Sequence, residues 1–217
     1  MIGERELLLR RGRILEVFTV LWTVAEAVAG LLLGILAGSV ALVGFGMDSL
    51  IEMGSGLVLL WRLQPVRDAA TAEQAEATAL RLVGVSLLGV AAYVLYESVK
   101  ALLGHEVPLA SPAGIVLATL ALFAMPLLAR AKCRVASALN SRALRADAFQ
   151  ASICTYLSAI LLGGLLLNAL FGWWWADPIA ALAMTPLIAK EGFAAFRGER
   201  CGDCGYCGTP ACTCTRC

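Results

Sequence analysis

The stretch LEVFTVLWTVAEAVAGLLLGILA, residues 15–37, decides the fold class of this chain. Glu16 and Glu26 are its only charged residues. As an α-helix it would be about 35 Å long at 1.5 Å per residue, which is enough to cross a hydrocarbon core of about 30 Å. It is also too long for the apolar core of a cleavable signal peptide. We therefore predict a retained membrane-spanning helix.

Five further apolar stretches of similar length follow, at residues 40–63, 80–103, 113–131, 148–170 and 178–196. The whole chain has 217 residues, of which 60% are hydrophobic and 15% charged, too little polar surface for a water-soluble globule. The prediction is an all-α membrane protein, a bundle of six transmembrane helices. A large soluble enzyme domain and a secreted disulfide scaffold are disfavoured, and a net charge of +1 argues against a nucleic-acid partner.

The connections between these stretches set the predicted organisation. Those at residues 38–39 and 172–178 are short, so the first and last pairs of helices should be antiparallel hairpins. Longer connections are expected at residues 64–79, 104–112 and 132–145. We divide the chain into a cytoplasmic N-terminal segment (residues 1–13), a membrane domain (14–197) and a cytoplasmic tail (198–217).

Basic residues are distributed unevenly about the predicted spans. If both termini lie on the same side, 16 of the 17 lysines and arginines fall on that side and only Lys100 falls on the other. Cytoplasmic loops of membrane proteins carry such an excess. The prediction is a multi-pass protein of the plasma (inner) membrane, surrounded by lipid, with both termini in the cytoplasm.

Gly30, Gly34 and Gly38 recur every four residues in the first span. This spacing lets another helix approach closely. The partner is either a neighbouring helix of the same bundle or a second copy of the chain.

Acidic side chains inside membrane helices are costly and need an explanation. Asp48 and Glu52 are four residues apart in the second span, so their carboxylates share one helical face within reach of a single cation or proton. The alternative is a hydrogen-bonded pair between helices. No basic residue of the predicted spans lies near that depth. Glu26 is either part of a proton relay or a hydrogen-bonding partner of another helix.

A stripe of polar residues on the fifth span also needs an explanation. Asp147, Gln150, Cys154 and Ser158 are three or four residues apart and so lie on one side of a helix. The stripe could complete a site begun on the second span. Taken alone, Cys154 would be read as a small buried hydrophobic residue.

Two other acidic residues have simpler interpretations. Glu97 is three residues from Lys100, which predicts an ion pair at the membrane surface. Asp177 precedes Pro178, which predicts a cap for the sixth helix.

Two segments resemble the transmembrane domain of the cation diffusion facilitator (cation efflux) family: GSVALVGFGMDSLIE at residues 38–52 and ADAFQASIC at residues 146–154. In that family a metal site is built from two residues four apart on the second span and two more on the fifth. The resemblance, over about residues 12–197, implies that Asp48, Glu52, Gln150 and Cys154 form this site, and that both termini are inside.

The chain also departs from the family pattern. The zinc-transporting members typically have His and Asp at the fifth-span positions, where this chain has Gln150 and Cys154. An amide oxygen is a weak ligand and a thiolate is a soft one, so the substrate need not be zinc. About twenty residues follow the sixth span, in place of the family's usual small α/β cytoplasmic domain. A homodimer would then be held by the membrane helices.

The tail is rich in cysteine, in the pattern CxxCxxCxxxxCxCxxC. Gaps of two residues allow neighbouring thiolates to bind one tetrahedral metal ion, and the reducing cytoplasm disfavours disulfides. Disordered incidental thiols and palmitoylation are the alternatives. The predicted tail ligands are Cys201, Cys204, Cys207, Cys212, Cys214 and Cys217.

These features together predict a transporter that exports a divalent transition or heavy-metal cation of the zinc, cobalt and cadmium class in exchange for protons. The predicted metal ligands in the membrane are Asp48, Glu52, Gln150 and Cys154, with Asp147 assisting. Neither a prosthetic group nor enzymatic activity is expected, because the single histidine, His105, lies in a predicted loop. The alternatives are a membrane-anchored metal sensor or chaperone that acts through the tail, and a transporter of small organic cations.

Overall fold

The computed structural model describes residues 2–62, 69–139 and 141–197 of the chain. They form six α-helices. The helices are α1 Ile2–Ala37, α2 Val40–Arg62, α3 Ala69–Gly104, α4 Pro112–Leu139, α5 Arg142–Phe171 and α6 Ala176–Arg197. Each contains a segment long and apolar enough to cross a membrane. The predicted all-α membrane protein with six spans is confirmed.

Two of the predicted connections are too long. Helix α3 begins at Ala69, within the stretch 64–79, and α4 continues to Leu139, only three residues before α5 begins at Arg142. Hydropathy marks the apolar part of a helix, whereas backbone hydrogen bonding continues into charged sequence that still favours the helix. Lys132, predicted to lie in a connection, is therefore a helical residue.

The helices pack most extensively in three pairs, α1 with α2, α4 with α5, and α3 with α6. Helix α2 is the most central, because it also contacts α3, α5 and α6. Buried apolar side chains fill the space between the helices, among them Leu42, Phe45, Met125, Leu157 and Met184. Large apolar side chains such as Leu36 and Leu103 are exposed on the outside of the bundle, where lipid would surround them.

Glycine allows α1 and α2 to approach closely. A Cβ atom on Gly30 would lie 2.9 Å from the Cα atom of Gly46, and one on Gly34 would lie 2.7 Å from the backbone nitrogen of Val43. Of the two partners predicted for the glycine repeat, the neighbouring helix is the one that Gly30 and Gly34 contact. Gly38 instead forms the turn, with φ +64°.

Asp177 ties α6 to the start of α2. Its carboxylate accepts hydrogen bonds from the Ser39 hydroxyl and from the backbone N–H of Val40 at 2.8 Å. The predicted cap for the sixth helix is therefore corrected, because Asp177 lies in the first turn of α6 and caps α2 instead. We call this end of the bundle, with the connections 38–39, 105–111 and 172–175, the Asp177 end. The opposite end is the Lys132 end.

Candidate cation site

Asp48 and Glu52 lie in the middle of α2 and face the interior of the bundle. Their exposed fractions are 5% and 3%. No hydrogen-bond donor in the described part of the chain reaches either carboxylate oxygen of Glu52. The described residues therefore do not supply the hydrogen bond that the alternative interpretation of the pair requires for Glu52. A buried carboxylate without a partner is costly, which is typical of a site that binds a cation or a proton.

Helix α5 brings the second predicted pair towards α2. The Ser55 hydroxyl lies 2.9 Å from the backbone carbonyl oxygen of Glu52 and 3.2 Å from Oε1 of Gln150. Cys154, one turn beyond Gln150, is buried, and its thiol lies within electrostatic range of Asp48 and Glu52. The structure thus places Gln150 and Cys154 in the same region as the acidic pair.

These side chains lie in one region of the bundle, but they do not form a complete coordination shell. Within residues 2–62, 69–139 and 141–197, no group of three or more His, Cys, Asp and Glu side chains has the spacing of metal ligands. Metal binding by Asp48, Glu52, Gln150 and Cys154 therefore stays a prediction.

Asp147 has a different partner. Its carboxylate contacts the ammonium group of Lys132, which is fully buried and also lies 2.9 Å from Oε2 of Glu16. Lys132 is within electrostatic range of Glu52 as well. The expectation that no basic residue lies near the acidic pair is therefore wrong, and the assisting role of Asp147 in metal binding stays a prediction.

Glu16, Lys132 and Asp147 form a buried ionic cluster at the Lys132 end. Two carboxylates surround a single ammonium group, so the cluster carries excess negative charge when both acids are ionised. Gly56 of α2 allows Glu16 into this position, because a Cβ atom there would lie 2.8 Å from Oε1 of Glu16. The cluster joins α1, α4 and α5.

Glu26 is the second buried acid of α1, and its exposed fraction is 1%. The indole N–H of Trp22 donates a hydrogen bond of 2.6 Å to its Oε1 atom. Its Oε2 atom has no hydrogen-bond partner among the described residues. Of the two predicted roles, a hydrogen bond to another helix is not what is observed, because Trp22 lies one turn earlier on the same helix.

Three charged residues of this interior were not predicted from the sequence. Glu16 and Lys132 were placed at or beyond the ends of apolar stretches, although Glu16, Thr19, Thr23 and Glu26 follow one another at helical spacing and are all buried. That stripe was the available signal. Glu191 of α6 is half-buried and lies within electrostatic range of Asp48 and Glu52. Its neighbour Lys190 makes it look like an ordinary surface residue of the helix end.

The other predicted residues lie away from this region. Glu97 and Lys100 form the predicted ion pair, with 3.1 Å between Oε2 and Nζ. His105 is exposed at the Asp177 end, with its ring 4.7 Å from that of Trp174. The six tail cysteines predicted to bind metal lie outside the described residues.

Comparison with known proteins gives a concordant result. Residues 17–198 match the family model of the cation efflux transmembrane domain. The chain is also 30% identical over 168 residues to an uncharacterized transporter of Synechocystis sp., an alignment that covers 74% of this chain and 54% of that protein. The chain thus spans about half the length of this curated relative. The six long apolar helices are those of a multi-pass membrane protein, and since the family model matches most of the chain, the protein belongs to the cation efflux family.

Proposed function

We propose that the protein exports a divalent transition or heavy-metal cation of the zinc, cobalt and cadmium class from the cytoplasm by proton antiport. The observation that carries this proposal is the buried pair Asp48 and Glu52 on α2, in which neither carboxylate oxygen of Glu52 has a hydrogen-bond partner among the described residues. Such a pair gains most from a doubly charged cation. Membership of the cation efflux family supports the same conclusion.

Competition between metal and protons would couple the two fluxes. Asp48 and Glu52 must be deprotonated to bind a metal ion. When the site opens to an acidic exterior, protons displace the metal from the carboxylates; when it opens to the cytoplasm, metal displaces the protons. A bundle that exposes the site alternately to the two sides therefore exchanges metal for protons.

The excess of basic residues at the Lys132 end supports a location of both termini in the cytoplasm. We further propose the plasma (inner) membrane as the location and a homodimer as the working assembly. The lipid-facing apolar surfaces of the helices are the contact area available for such a dimer. The Asp177 end then faces the exterior.

Gln150 and Cys154 would distinguish this site from those of zinc-transporting relatives. Because Gln150 offers only an amide oxygen, Asp48 and Glu52 supply the charge. Cys154 offers a soft thiol, which would extend binding to thiophilic ions. In the cytoplasmic tail, the cysteines would bind the same class of ion.

The test is metal flux into proteoliposomes with an inward metal gradient and an opposing pH gradient. The native protein is compared with Asp48→Asn/Glu52→Gln for Zn²⁺, Co²⁺, Cd²⁺, Mn²⁺ and Ni²⁺. We expect proton-driven uptake of one or more ions by the native protein and none by the double variant. A matched control is Glu97→Gln, which removes an acid that pairs with Lys100 outside the site.

Two results would overturn the proposal. One is the absence of flux for every ion in a native protein that is folded and inserted. The other is undiminished flux in the double variant. Flux that is unaffected by collapsing the pH gradient would remove the antiport mechanism and leave metal transport intact.

A further inference from the structure

We propose that Glu26 of α1 is a further ligand of the transported cation, so that the site is built from α1 as well as from α2 and α5. The inference rests on the proposed function and concerns the same site.

The contacts between α1 and α2 fix the level of Glu26. Gly30 lies against Gly46, and Val20 lies against Gly56, so the two helices run antiparallel in one register between these points. Four residues before Gly30 is Glu26, and four residues after Gly46 is Leu50. Glu26 is therefore level with the middle of the interval from Asp48 to Glu52.

The surroundings of the Glu26 carboxylate match those of an unfilled ligand. The Trp22 hydrogen bond holds Oε1, while the buried Oε2 atom has no hydrogen-bond partner among the described residues. Glu26 also lies within electrostatic range of Asp48 and Glu52. Two buried carboxylates with unpartnered oxygens on facing helices repel each other when ionised, and a cation between them would turn that repulsion into attraction.

The donor set determines which ion fits. Glu26, Asp48 and Glu52 contribute carboxylate oxygens and Gln150 contributes an amide oxygen, against the single sulfur of Cys154. Carboxylate and carbonyl ligands suit ions such as Mn²⁺, whereas thiolates select softer ions. Mn²⁺ is therefore a suitable probe of the carboxylate ligands.

The experiment is a titration of the purified full-length protein with Mn²⁺ in detergent, with free Mn²⁺ measured by electron paramagnetic resonance. We expect Glu26→Gln to weaken Mn²⁺ binding at least about tenfold, the range typical for losing groups around a metal site. Glu26→Asp keeps the carboxylate and should retain part of the affinity. Trp22→Phe keeps the Glu26 carboxylate but removes the hydrogen bond that positions it, together with part of the ring volume, and should weaken binding less than Glu26→Gln does.

Glu97→Gln is the matched control, because it also neutralises one acid of a membrane helix and should leave Mn²⁺ binding unchanged.

The failure of this inference can be told apart from failure of the proposed function. If Glu26→Gln elutes as the native protein does and binds Mn²⁺ with native affinity, Glu26 is not a ligand, and the proposed transport function still stands. If the native protein transports Zn²⁺ or Cd²⁺ but binds no Mn²⁺, a transport site rich in carboxylate oxygens is refuted. If no ion is transported, the proposed function itself fails.

Discussion

The ammonium nitrogen of Lys132 on α4 lies 2.9 Å from Oε2 of Glu16 on α1, and both side chains are fully buried. The same ammonium group contacts Asp147 on α5. The Lys132 ammonium group therefore links α1, α4 and α5 at the Lys132 end. Because the cluster contains two acids, loss of the Lys132 ammonium group should destabilise it more than loss of either carboxylate.

Removing that charge should destabilise the bundle. We expect Lys132→Met to lower the free energy of unfolding by about 3–5 kcal/mol, the usual cost of leaving a buried charge without its partner. Thermal unfolding in detergent measures the change. Lys100→Met is the matched control, because Lys100 is half-exposed in its pair with Glu97, and such surface pairs contribute at most about 1 kcal/mol.

A double variant separates charge from packing. Lys132→Met/Glu16→Gln removes one of the two uncompensated acids and should recover part of the lost stability. If the double variant is as unstable as the sum of the two single variants, the cluster is not an electrostatic unit, and the loss in Lys132→Met comes from packing.

Asp177 should stabilise the Asp177 end by capping α2. Asp177→Ala removes the acceptor for the Ser39 hydroxyl and the Val40 N–H, and loss of a helix cap costs about 0.5–2 kcal/mol. We expect a lower unfolding temperature, with a smaller decrease for Asp177→Asn, which keeps one side-chain oxygen as acceptor. Equal unfolding temperatures for native protein and Asp177→Ala would show that the cap contributes nothing.

The contact between Gly30 and Gly46 should be intolerant of even one methyl group. Gly30→Ala would place its Cβ atom 2.9 Å from the Cα atom of Gly46, and overpacking of this kind costs about 1–3 kcal/mol. The matched control is Gly54→Ala on α2, where a Cβ atom would meet nothing within 4 Å. That control should be neutral or more stable by up to about 1 kcal/mol, since alanine favours the helix.

A reversed order of these two variants in thermal unfolding would contradict the close approach of α1 and α2. It would also remove the register from which the level of Glu26 is deduced.

The six spans and the acidic pair could be predicted from the sequence for a physical reason. A membrane requires long apolar helices, and Asp48 and Glu52 stand out against that background at a spacing that shares one face. The packing of Gly30 and Gly34 against α2 follows from the same kind of local pattern, because small residues four apart mark a close helix contact.

The ionic cluster and the position of Glu26 could not be predicted from the sequence, because they depend on which helices are neighbours. Hydropathy ended the fourth span at Ala131, just before Lys132, since an isolated lysine is unfavourable in lipid. Only the packing of α1 and α5 against α4 shows that Glu16 and Asp147 compensate its charge. Likewise, Asp177 could be predicted as a helix cap, but the helix that it caps is α2, more than 130 residues away in sequence.

Substitution of Cys154 should change the selectivity among metal ions more than it changes the stability of the protein. Its thiol is buried and within electrostatic range of Asp48 and Glu52, so Cys154→Ala removes the thiol from the proposed site. In the proteoliposome assay we expect the flux of Cd²⁺ relative to Co²⁺ to decrease. Cys154→Ser is a matched control for volume and replaces sulfur with oxygen. An unchanged ratio in both variants would show that Cys154 is a small buried residue without a role in metal binding.

Removal of residues 201–217 should separate transport from sensing. The proposed site lies within α1, α2 and α5, so the shortened protein should still transport metal against a proton gradient, with altered affinity or selectivity because the six tail cysteines are gone. Flux is measured in proteoliposomes beside a full-length variant with all six cysteines changed to serine, which keeps the length of the tail. Equal changes in both proteins would assign the effect to the thiols. Complete loss of activity in both, with the helical bundle still folded, would instead favour the alternative in which the bundle anchors a cysteine-rich metal sensor or chaperone.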